Sequence, residues 1–138
     1  DQPLSRSNEY ASYIIDGILN GIEITINANI MNEEYIENLP SNCCVEVPCI
    51  INSNGFKPQK IGKLPEQLAA LMRTNINVQI LTAEAALTKK REHIYHAAML
   101  DPLTGANLTI DEIYDMTDKM IEAHGNTYLN IINDQTNC

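Results

Sequence analysis

The sequence predicts an α+β domain in which an antiparallel sheet with a hairpin packs against several helices. Three observations predict this class: apolar residues at helical spacing open the chain, strict two-residue alternation follows in IEITINANI, and helical spacing returns after Pro65. With 138 residues, 44% of them hydrophobic and 20% charged, the chain has the size and composition of one globular domain.

The first two elements differ in their period. Residues 8–20 are a predicted helix, which Gly21 ends in a left-handed conformation. The predicted apolar face of this helix consists of Ala11, Ile14, Ile15 and Ile18. Residues 22–30 then alternate between isoleucine or alanine and polar residues, which predicts a half-buried strand.

A second strand and a hairpin are predicted next. Residues 43–52 form the strand, and one of its faces carries Val45, Val47, Cys49 and Ile51. Because Pro48 has no N–H to give to a neighbour, we expect this strand at a sheet edge or with a bulge. Asn54-Gly55 predicts a type I′ turn, so a third strand over 56–61 should return antiparallel to the second.

Three helices are predicted in the second half. Pro65 suits the first turn of a long helix that runs to about Leu87. Its apolar stripe consists of Leu68, Leu71, Met72, Val78, Leu81 and Ala85. Thr88 is the predicted N-cap of a helix over 89–100, which Asp101-Pro102 ends.

The last helix has capping-box spacing at its start. Thr109 and Glu112 are three residues apart, and Gly125 should end the helix. Its predicted inward residues are Ile110, Ile113, Met120 and Ile121.

Charge and composition exclude several classes of partner. A net charge of −9 argues against nucleic acid, whose phosphates attract basic residues. No apolar run approaches the roughly 20 residues that span a bilayer, so no membrane contact is expected. Four cysteines without a secretory signal indicate a reducing, cytoplasmic location. The first residue is Asp1 and not Met, which indicates a processed chain or a piece of a longer protein.

Three of the four cysteines lie in SNCCVEVPCIINSNGF, which raises four possibilities: a metal site, a disulfide, a reactive thiol centre or a buried strand. Strand alternation sends Cys43 and Cys49 to one face and Cys44 to the other, so the three thiols do not converge. This favours buried, hydrophobic cysteines, with metal or redox function as the alternative. Cys138, at the chain end, is expected to be an exposed and incidental thiol.

The histidines and glycines show no catalytic pattern. His93 and His96 are one helical turn apart but lack a third ligand, so we expect surface or interface histidines. His124 should lie at the carbonyl end of the last helix. Neither a phosphate-binding glycine loop nor a GxSxG motif occurs in the chain.

Three stretches, in this order, resemble the C-terminal part of family 4 glycoside hydrolases, with the α-galactosidase and α-glucosidase type most similar. They are RSNEYASYIIDGI, NLPSNCCVEVPCIINSNGFKPQKIGKLPEQLAALMRTNINVQILTAEAAL and HAAMLDPLTGANLTIDEIYDMTDKMIEAHG. A more distant similarity links the helix, the VPC strand and the hairpin to the C-terminal half of lactate and malate dehydrogenases. The resemblance implies a family domain over residues 1–125 and a divergent tail over residues 126–138.

The resemblance also implies a chemistry that this chain cannot perform alone. Family members are several-fold longer, use NAD⁺ with Mn²⁺, and break the glycosidic bond by elimination after oxidising the sugar at C3. Their NAD-binding loop, metal ligands and catalytic base lie upstream of the matched region. Hence we expect no catalytic residue, no NAD and no metal in this chain, and Cys43, Cys44 and Cys49 do not match the family's metal cysteine.

Two roles remain for the matched part. As a substrate and oligomerisation domain, it would place Ser7, Asn8 and Glu9 beside the carbohydrate pocket of a full-length enzyme, although Ser7 or Asn8 could instead cap the helix. The alternative is a stand-alone, non-catalytic module that forms homo-oligomers. In both cases a homo-oligomer is expected, with the helix at 65–87 as a contact element.

Overall fold

A computed structural model describes residues 9–125 of the protein, and the chain divides into two compact units at Leu64 and Pro65. The described part of the first unit contains α1 (Ala11–Asn20), β1 (Ile24–Met31), β2 (Cys44–Asn52) and β3 (Gly55–Pro58). The described part of the second contains α2 (Glu66–Thr88), α3 (Glu92–Leu100), α4 (Pro102–Asn107) and α5 (Ile110–His124). The predicted α+β class is confirmed, whereas the predicted tail at 126–138 lies outside the described residues.

Helix α1 packs on the sheet through a glycine. Gly17 is the buried residue of the helix, and Gly21 ends the helix in the predicted left-handed conformation at φ 71°. The predicted apolar face is wrong, because Ile15 is 58% exposed and Ile18 is also exposed. The close approach of Gly17 to the sheet sets the rotation of α1, and that rotation turns these isoleucines away from it.

The sheet has the order β1-β2-β3, and both of its strand pairs are antiparallel. Pairing of β1 with β2 runs from Ile24 opposite Ile51 to Met31 opposite Cys44. The inward residues of β2 are Val45, Val47, Cys49 and Ile51, all of them buried as predicted. On β1 the inward positions are half-buried and the others exposed, so the predicted alternation is confirmed there too.

The position predicted for β2 is wrong, since this strand lies in the centre of the sheet. Pro48 is opposite Asn27 in an uninterrupted register with β1, which carries no bulge. On the other side, pairing with β3 ends at Cys49 and Pro58, and the Pro48 carbonyl accepts from Gln59 N at 2.8 Å. The missing N–H of Pro48 therefore faces the place where the β3 ladder has ended.

The predicted hairpin is confirmed, but its turn is not type I′. Asn52 pairs with Gly55, and the turn residues between them are Ser53 and Asn54. Gly55 has φ 100°, while the described non-glycine residues with positive φ do not include Ser53 or Asn54. The Asn52 side chain accepts from Asn54 N at 2.9 Å, which closes a local Asx turn. The glycine thus follows the turn and takes the left-handed conformation itself.

In the second unit, α2 packs against α3. The buried residues of α2 are Ala69 and Ile76, two helical turns apart. The predicted stripe is therefore wrong at its start, where Leu68, Leu71 and Met72 are exposed. Ala69 and Ile76 are seven residues apart and therefore lie on one side of the helix.

The helix boundaries in the second unit differ from the prediction between α2 and α3 and again after Leu100. Thr88 is the last residue of α2, and its hydroxyl donates to the Glu84 carbonyl at 2.6 Å, so it is not the N-cap of α3. Lys89, with φ 58°, ends α2. The carboxylate of Asp101 accepts from two backbone N–H groups and starts the additional short helix α4.

Helix α5 has the predicted capping box. The Thr109 hydroxyl accepts from Glu112 N, and the Glu112 carboxylate accepts from Thr109 N at 2.8 Å. Of the predicted inward residues, Ile113 is buried, whereas Ile110 and Met120 are exposed. Within residues 9–125, none of the helices has the length and apolar character that crossing a bilayer requires.

Candidate functional site

The start of α1 is the predicted substrate-adjacent segment. Ser7 and Asn8 lie outside the described residues, and Glu9 is exposed just before the helix. The N-cap position belongs to Tyr10, whose carbonyl accepts from Ile14 N at 2.9 Å. Because Ser7 and Asn8 are not described, their position beside a substrate and the capping alternative both stay predictions, as does the position of Glu9 beside a substrate.

An exposed apolar surface continues from this segment along α1 and past its end. We call it the α1 surface, and it consists of Tyr10, Ile15, Ile18, Leu19 and Ile22. Leu19 is 74% exposed, far more than a helix residue that packs on its own domain. Contiguous exposed apolar residues mark surfaces that bind another protein or another domain.

The three described cysteines are arranged as strand alternation predicts. Cys43 and Cys49 are buried on the inward face of the sheet, and Cys44 is exposed on the other face. Burial raises the pKa of the Cys43 and Cys49 thiols, because the thiolate form is disfavoured in an apolar environment. The Cys49 thiol donates to the Val47 carbonyl at 3.4 Å. The interpretation as buried, hydrophobic cysteines is confirmed for these two, whereas Cys138 lies outside the described residues.

This arrangement predicts unequal thiol reactivity. In the folded chain at pH 7, an alkylating reagent should modify Cys44 and leave Cys43 and Cys49 unmodified until urea unfolds the protein. Peptide mass mapping after timed alkylation gives the modified fraction of each residue. Rapid modification of Cys49 in the folded chain would contradict the burial of this strand.

The two histidines of α3 differ in their exposure. The rings of His93 and His96 are 6.4 Å apart between centroids and nearly perpendicular. Nδ1 of His93 is buried without a hydrogen-bond partner, and His96 is exposed. His124 is the last residue of α5, as predicted. Across residues 9–125, no group of three or more His, Cys, Asp or Glu side chains is placed to hold a metal ion.

A buried asparagine, which the sequence analysis missed, holds the loop after β1. Asn32 is fully buried, and its Nδ2 donates to the carbonyls of Ile36, Leu39 and Pro40 at 2.9–3.2 Å. Its Oδ1 accepts from Ile36 N at 2.8 Å. One signal was available: after Ile30, the alternation of β1 assigns the inward face to position 32.

The same loop contains two residues in a strained conformation. Glu33 and Glu34 have φ values of 40° and 72°, and the Asn32 carbonyl accepts from Tyr35 N across them. Left-handed backbone costs a residue with a side chain about 1–2 kcal/mol. The hydrogen bonds of the buried Asn32 side chain offset this strain and fix the loop.

A polar cluster joins α3 to α5. The Arg91 guanidinium donates to the Tyr95 hydroxyl at 2.7 Å, and both Arg91 and the Tyr95 hydroxyl donate to the Asp118 carboxylate. The Tyr95 ring stacks on Tyr114 with 4.6 Å between centroids. Hydrogen bonds from Tyr95 and Arg91 lower the pKa of Asp118, and burial together with the bond to Asp118 raises the pKa of Tyr95.

The lowered pKa of Asp118 predicts a pH dependence. Its carboxylate contributes stability above the unfolded pKa of about 3.9, and this contribution is lost as the pH falls through the lower folded value. We expect Asp118→Asn to lower the melting temperature at pH 7, with a difference that shrinks below about pH 4. Thermal unfolding followed by circular dichroism measures the melting temperatures of the original protein and the variant at each pH. The control is Asp115→Asn, which removes only an exposed pair with Lys119 and should change little.

The family follows from a sequence comparison. A family model described as the family 4 glycosyl hydrolase C-terminal domain matches residues 2–104. The chain belongs to this family. The resemblance expected from the sequence is therefore confirmed.

Similar proteins place this family 4 domain within longer chains. It is 48% identical over 120 residues to an α-galactosidase of Bacillus subtilis, covering 87% of this chain and 28% of that protein. It is 33% identical over 122 residues to an α-galactosidase of Rhizobium meliloti, covering 88% of this chain and 25% of that protein. The chain thus spans about a quarter of the length of these relatives.

A solved structure shows the same fold. A 6-phospho-α-glucosidase from gut microorganisms, determined in complex with NAD and Mn²⁺, matches with a TM-score of 0.73 at 18% identity. The match covers 86% of this chain and 26% of that one. It supports the α+β architecture described above.

Proposed function

We propose that this chain is the C-terminal substrate and oligomerisation domain of an NAD- and Mn-dependent α-glycosidase of carbohydrate metabolism, and that it is inactive by itself. The observation that carries the proposal is the 48% identity to an α-galactosidase over nearly the whole chain. The related structure with NAD and Mn²⁺ supports the choice of cofactors. The reduced thiols buried in the sheet fit the proposed cytoplasmic location.

The residues 9–125 do not themselves fit the two cofactors. A manganese ion needs several convergent oxygen or nitrogen ligands, and the described residues offer no such group. The sequence has no glycine-rich loop for a dinucleotide. When bound, NAD⁺ and Mn²⁺ would supply their redox and Lewis-acid chemistry from another part of a longer enzyme.

The contribution of this domain to such an enzyme is structural and positional. The α1 surface would pack against the rest of the enzyme, because its exposed apolar side chains have no cover within residues 9–64. Glu9 directly precedes this helix, so packing of α1 would fix its place together with Ser7 and Asn8 at the carbohydrate pocket.

An activity assay tests the proposal that the chain is catalytically inactive by itself. The purified chain is incubated with nitrophenyl α-galactoside or α-glucoside, NAD⁺, Mn²⁺ and a reductant, and we expect no nitrophenol release above a blank without protein. Turnover above that blank would show that the chain carries a catalytic centre of its own. Isothermal titration with NAD⁺ gives an independent result and should show no binding.

The second candidate function is a non-catalytic module that forms homo-oligomers. Exposed Leu68, Leu71 and Met72 on α2 favour it, because they are neighbours on one side of the helix. Light scattering should give a multiple of 15.4 kDa at high concentration, and Leu71→Ser should lower that mass. A strictly monomeric mass would exclude the module as an oligomer.

A further inference from the structure

Two asparagines of the chain directly precede a glycine, and the two differ in their surroundings. Asn20-Gly21 ends α1, whereas Asn54-Gly55 leads from the hairpin turn into β3. In an Asn-Gly pair, the backbone nitrogen of the glycine can attack the preceding carboxamide, because glycine has no side chain to shield that nitrogen. Both asparagines are exposed, so access of water does not distinguish them.

The Asn20 side chain is held by a hydrogen bond. Its Nδ2 donates to the Asp16 carboxylate at 2.6 Å, one helical turn earlier. Asn20 is also the last residue of α1, so its backbone is helical. Attack by Gly21 N requires the carboxamide to leave Asp16 and the backbone to rotate out of the helical conformation. Both features therefore oppose a reaction at Asn20.

The Asn54 side chain has no such restraint. Asn54 is an exposed turn residue, and within residues 9–125 its carboxamide makes no hydrogen bond. The residue is held instead through its backbone N–H, which donates to the Asn52 side chain at 2.9 Å. The space beside Gly55 is also open, since a Cβ atom added there would have no atom within 4 Å. The turn is therefore fixed, while the carboxamide can rotate toward the next nitrogen.

We propose that Asn54 is a site of spontaneous deamidation in this protein, and that it reacts in preference to Asn20. The Gly55 nitrogen attacks Cγ of Asn54 and forms a bond to it, in an intramolecular reaction that needs no catalyst. The amide proton of Gly55 passes through water to Nδ2, which leaves as ammonia. Water then opens the five-membered succinimide at one of its two bonds to nitrogen, and gives aspartate or isoaspartate. This proposal is independent of the proposed glycosidase function.

The two products affect the hairpin differently. Aspartate keeps the backbone and adds one negative charge to an exposed turn. Isoaspartate adds a methylene group to the backbone between Asn52 and Gly55, which pair directly across the turn. Pairing of β2 with β3 comprises four residue pairs, so a longer turn disturbs a large part of this ladder. We therefore expect isoaspartate, and not aspartate, to weaken the pairing of β3.

Peptide mass mapping of the full chain tests the proposal. The protein is incubated for several weeks at neutral and at alkaline pH, and the deamidated fraction of each asparagine is measured after digestion. We expect deamidation at Asn54 to be about tenfold faster than at Asn20, where a hydrogen bond must first break. The rate at Asn54 should rise at alkaline pH, because base removes the amide proton of Gly55. Asn27 and Asn29, exposed on β1 and not followed by glycine, are internal controls that should stay unmodified.

Two variants separate the effect of the structure from that of the sequence. Asp16→Ala removes the partner of Asn20 and should raise the deamidation rate at Asn20 while leaving the rate at Asn54 unchanged. Asn54→Gln should abolish the modification at this position, because glutamine would have to form a less favourable six-membered ring. In the original protein, hydrogen exchange of β3 should become faster as isoaspartate accumulates. Equal rates at Asn20 and Asn54, or an Asn54 that stays unmodified at alkaline pH, would overturn the proposal.

Discussion

Replacement of Asn32 by alanine is expected to lower the free energy of unfolding by about 3–5 kcal/mol. The side chain is fully buried and makes four hydrogen bonds to backbone atoms of Ile36, Leu39 and Pro40 in the loop after β1. Its loss leaves buried carbonyls and the Ile36 N–H without partners, and each such group costs about 1–3 kcal/mol. The strained backbone of Glu33 and Glu34 would then lose the side-chain hydrogen bonds of Asn32 that offset its cost.

Urea denaturation of the original protein and the Asn32→Ala variant measures this difference in the free energy of unfolding. Asn29→Ala is the matched control, because Asn29 is an asparagine on the exposed face of β1. This substitution should change the stability little. Asn32→Asp keeps an acceptor for Ile36 N and loses the donors, so it should be destabilising as well. A loss below about 1 kcal/mol for Asn32→Ala would show that the loop does not depend on this side chain.

The second large effect is expected at Gly17. A Cβ atom added there would lie 2.9 Å from the Ile22 carbonyl oxygen and 3.5 Å from the Ile51 side chain. Alanine normally stabilises a helix interior by about 0.5–1 kcal/mol relative to glycine, but forced overpacking costs about 1–3 kcal/mol. Because the close atom is backbone, we expect Gly17→Ala to lower the stability by about 1–2 kcal/mol net.

The control for this variant is on the same helix. Ser12 is exposed on α1, so Ser12→Ala changes helix propensity without changing the packing on the sheet and should be neutral or slightly stabilising. The same urea titration compares the free energies of unfolding of the Gly17→Ala and Ser12→Ala variants. A Gly17→Ala protein as stable as the original would mean that α1 does not approach the sheet this closely.

The features that sequence predicts well here are those with a local cause. Alternation along β2 correctly separates buried Cys43 and Cys49 from exposed Cys44, because the period of a strand fixes the direction of each side chain. The capping box of Thr109 and Glu112 is likewise correct, since both of its hydrogen bonds join residues three positions apart.

The buried faces of the helices were predicted poorly, because tertiary packing decides which face of a helix is buried. Helix α1 is apolar on more than one side, with Ile14 and Gly17 turned inward and Ile15 and Leu19 turned outward. Periodicity cannot choose between such faces, whereas the close contact of Gly17 with the sheet does. Similarly, Ala69 is buried on α2 and its neighbour Leu68 is exposed, although leucine is the more apolar of the two.

The polar clusters were missed for a related reason. Arg91, Tyr95 and Asp118 meet only when α3 packs on α5, and Asp118 is 23 residues beyond Tyr95 in the chain. No spacing rule connects positions so far apart. Asn32 is different, because the alternation of β1 already points it inward, and a buried asparagine there requires partners.

The most direct test of the proposed function exchanges this domain into a relative. The 120 residues that match would replace their counterpart in the Bacillus subtilis α-galactosidase, and the exchanged protein would be assayed beside the isolated chain. We predict NAD⁺- and Mn²⁺-dependent hydrolysis of nitrophenyl α-galactoside by the exchanged protein and none by the isolated chain. An exchanged protein that folds and binds NAD⁺ yet hydrolyses no α-galactoside would contradict the proposal that this chain serves as the C-terminal domain of such an enzyme.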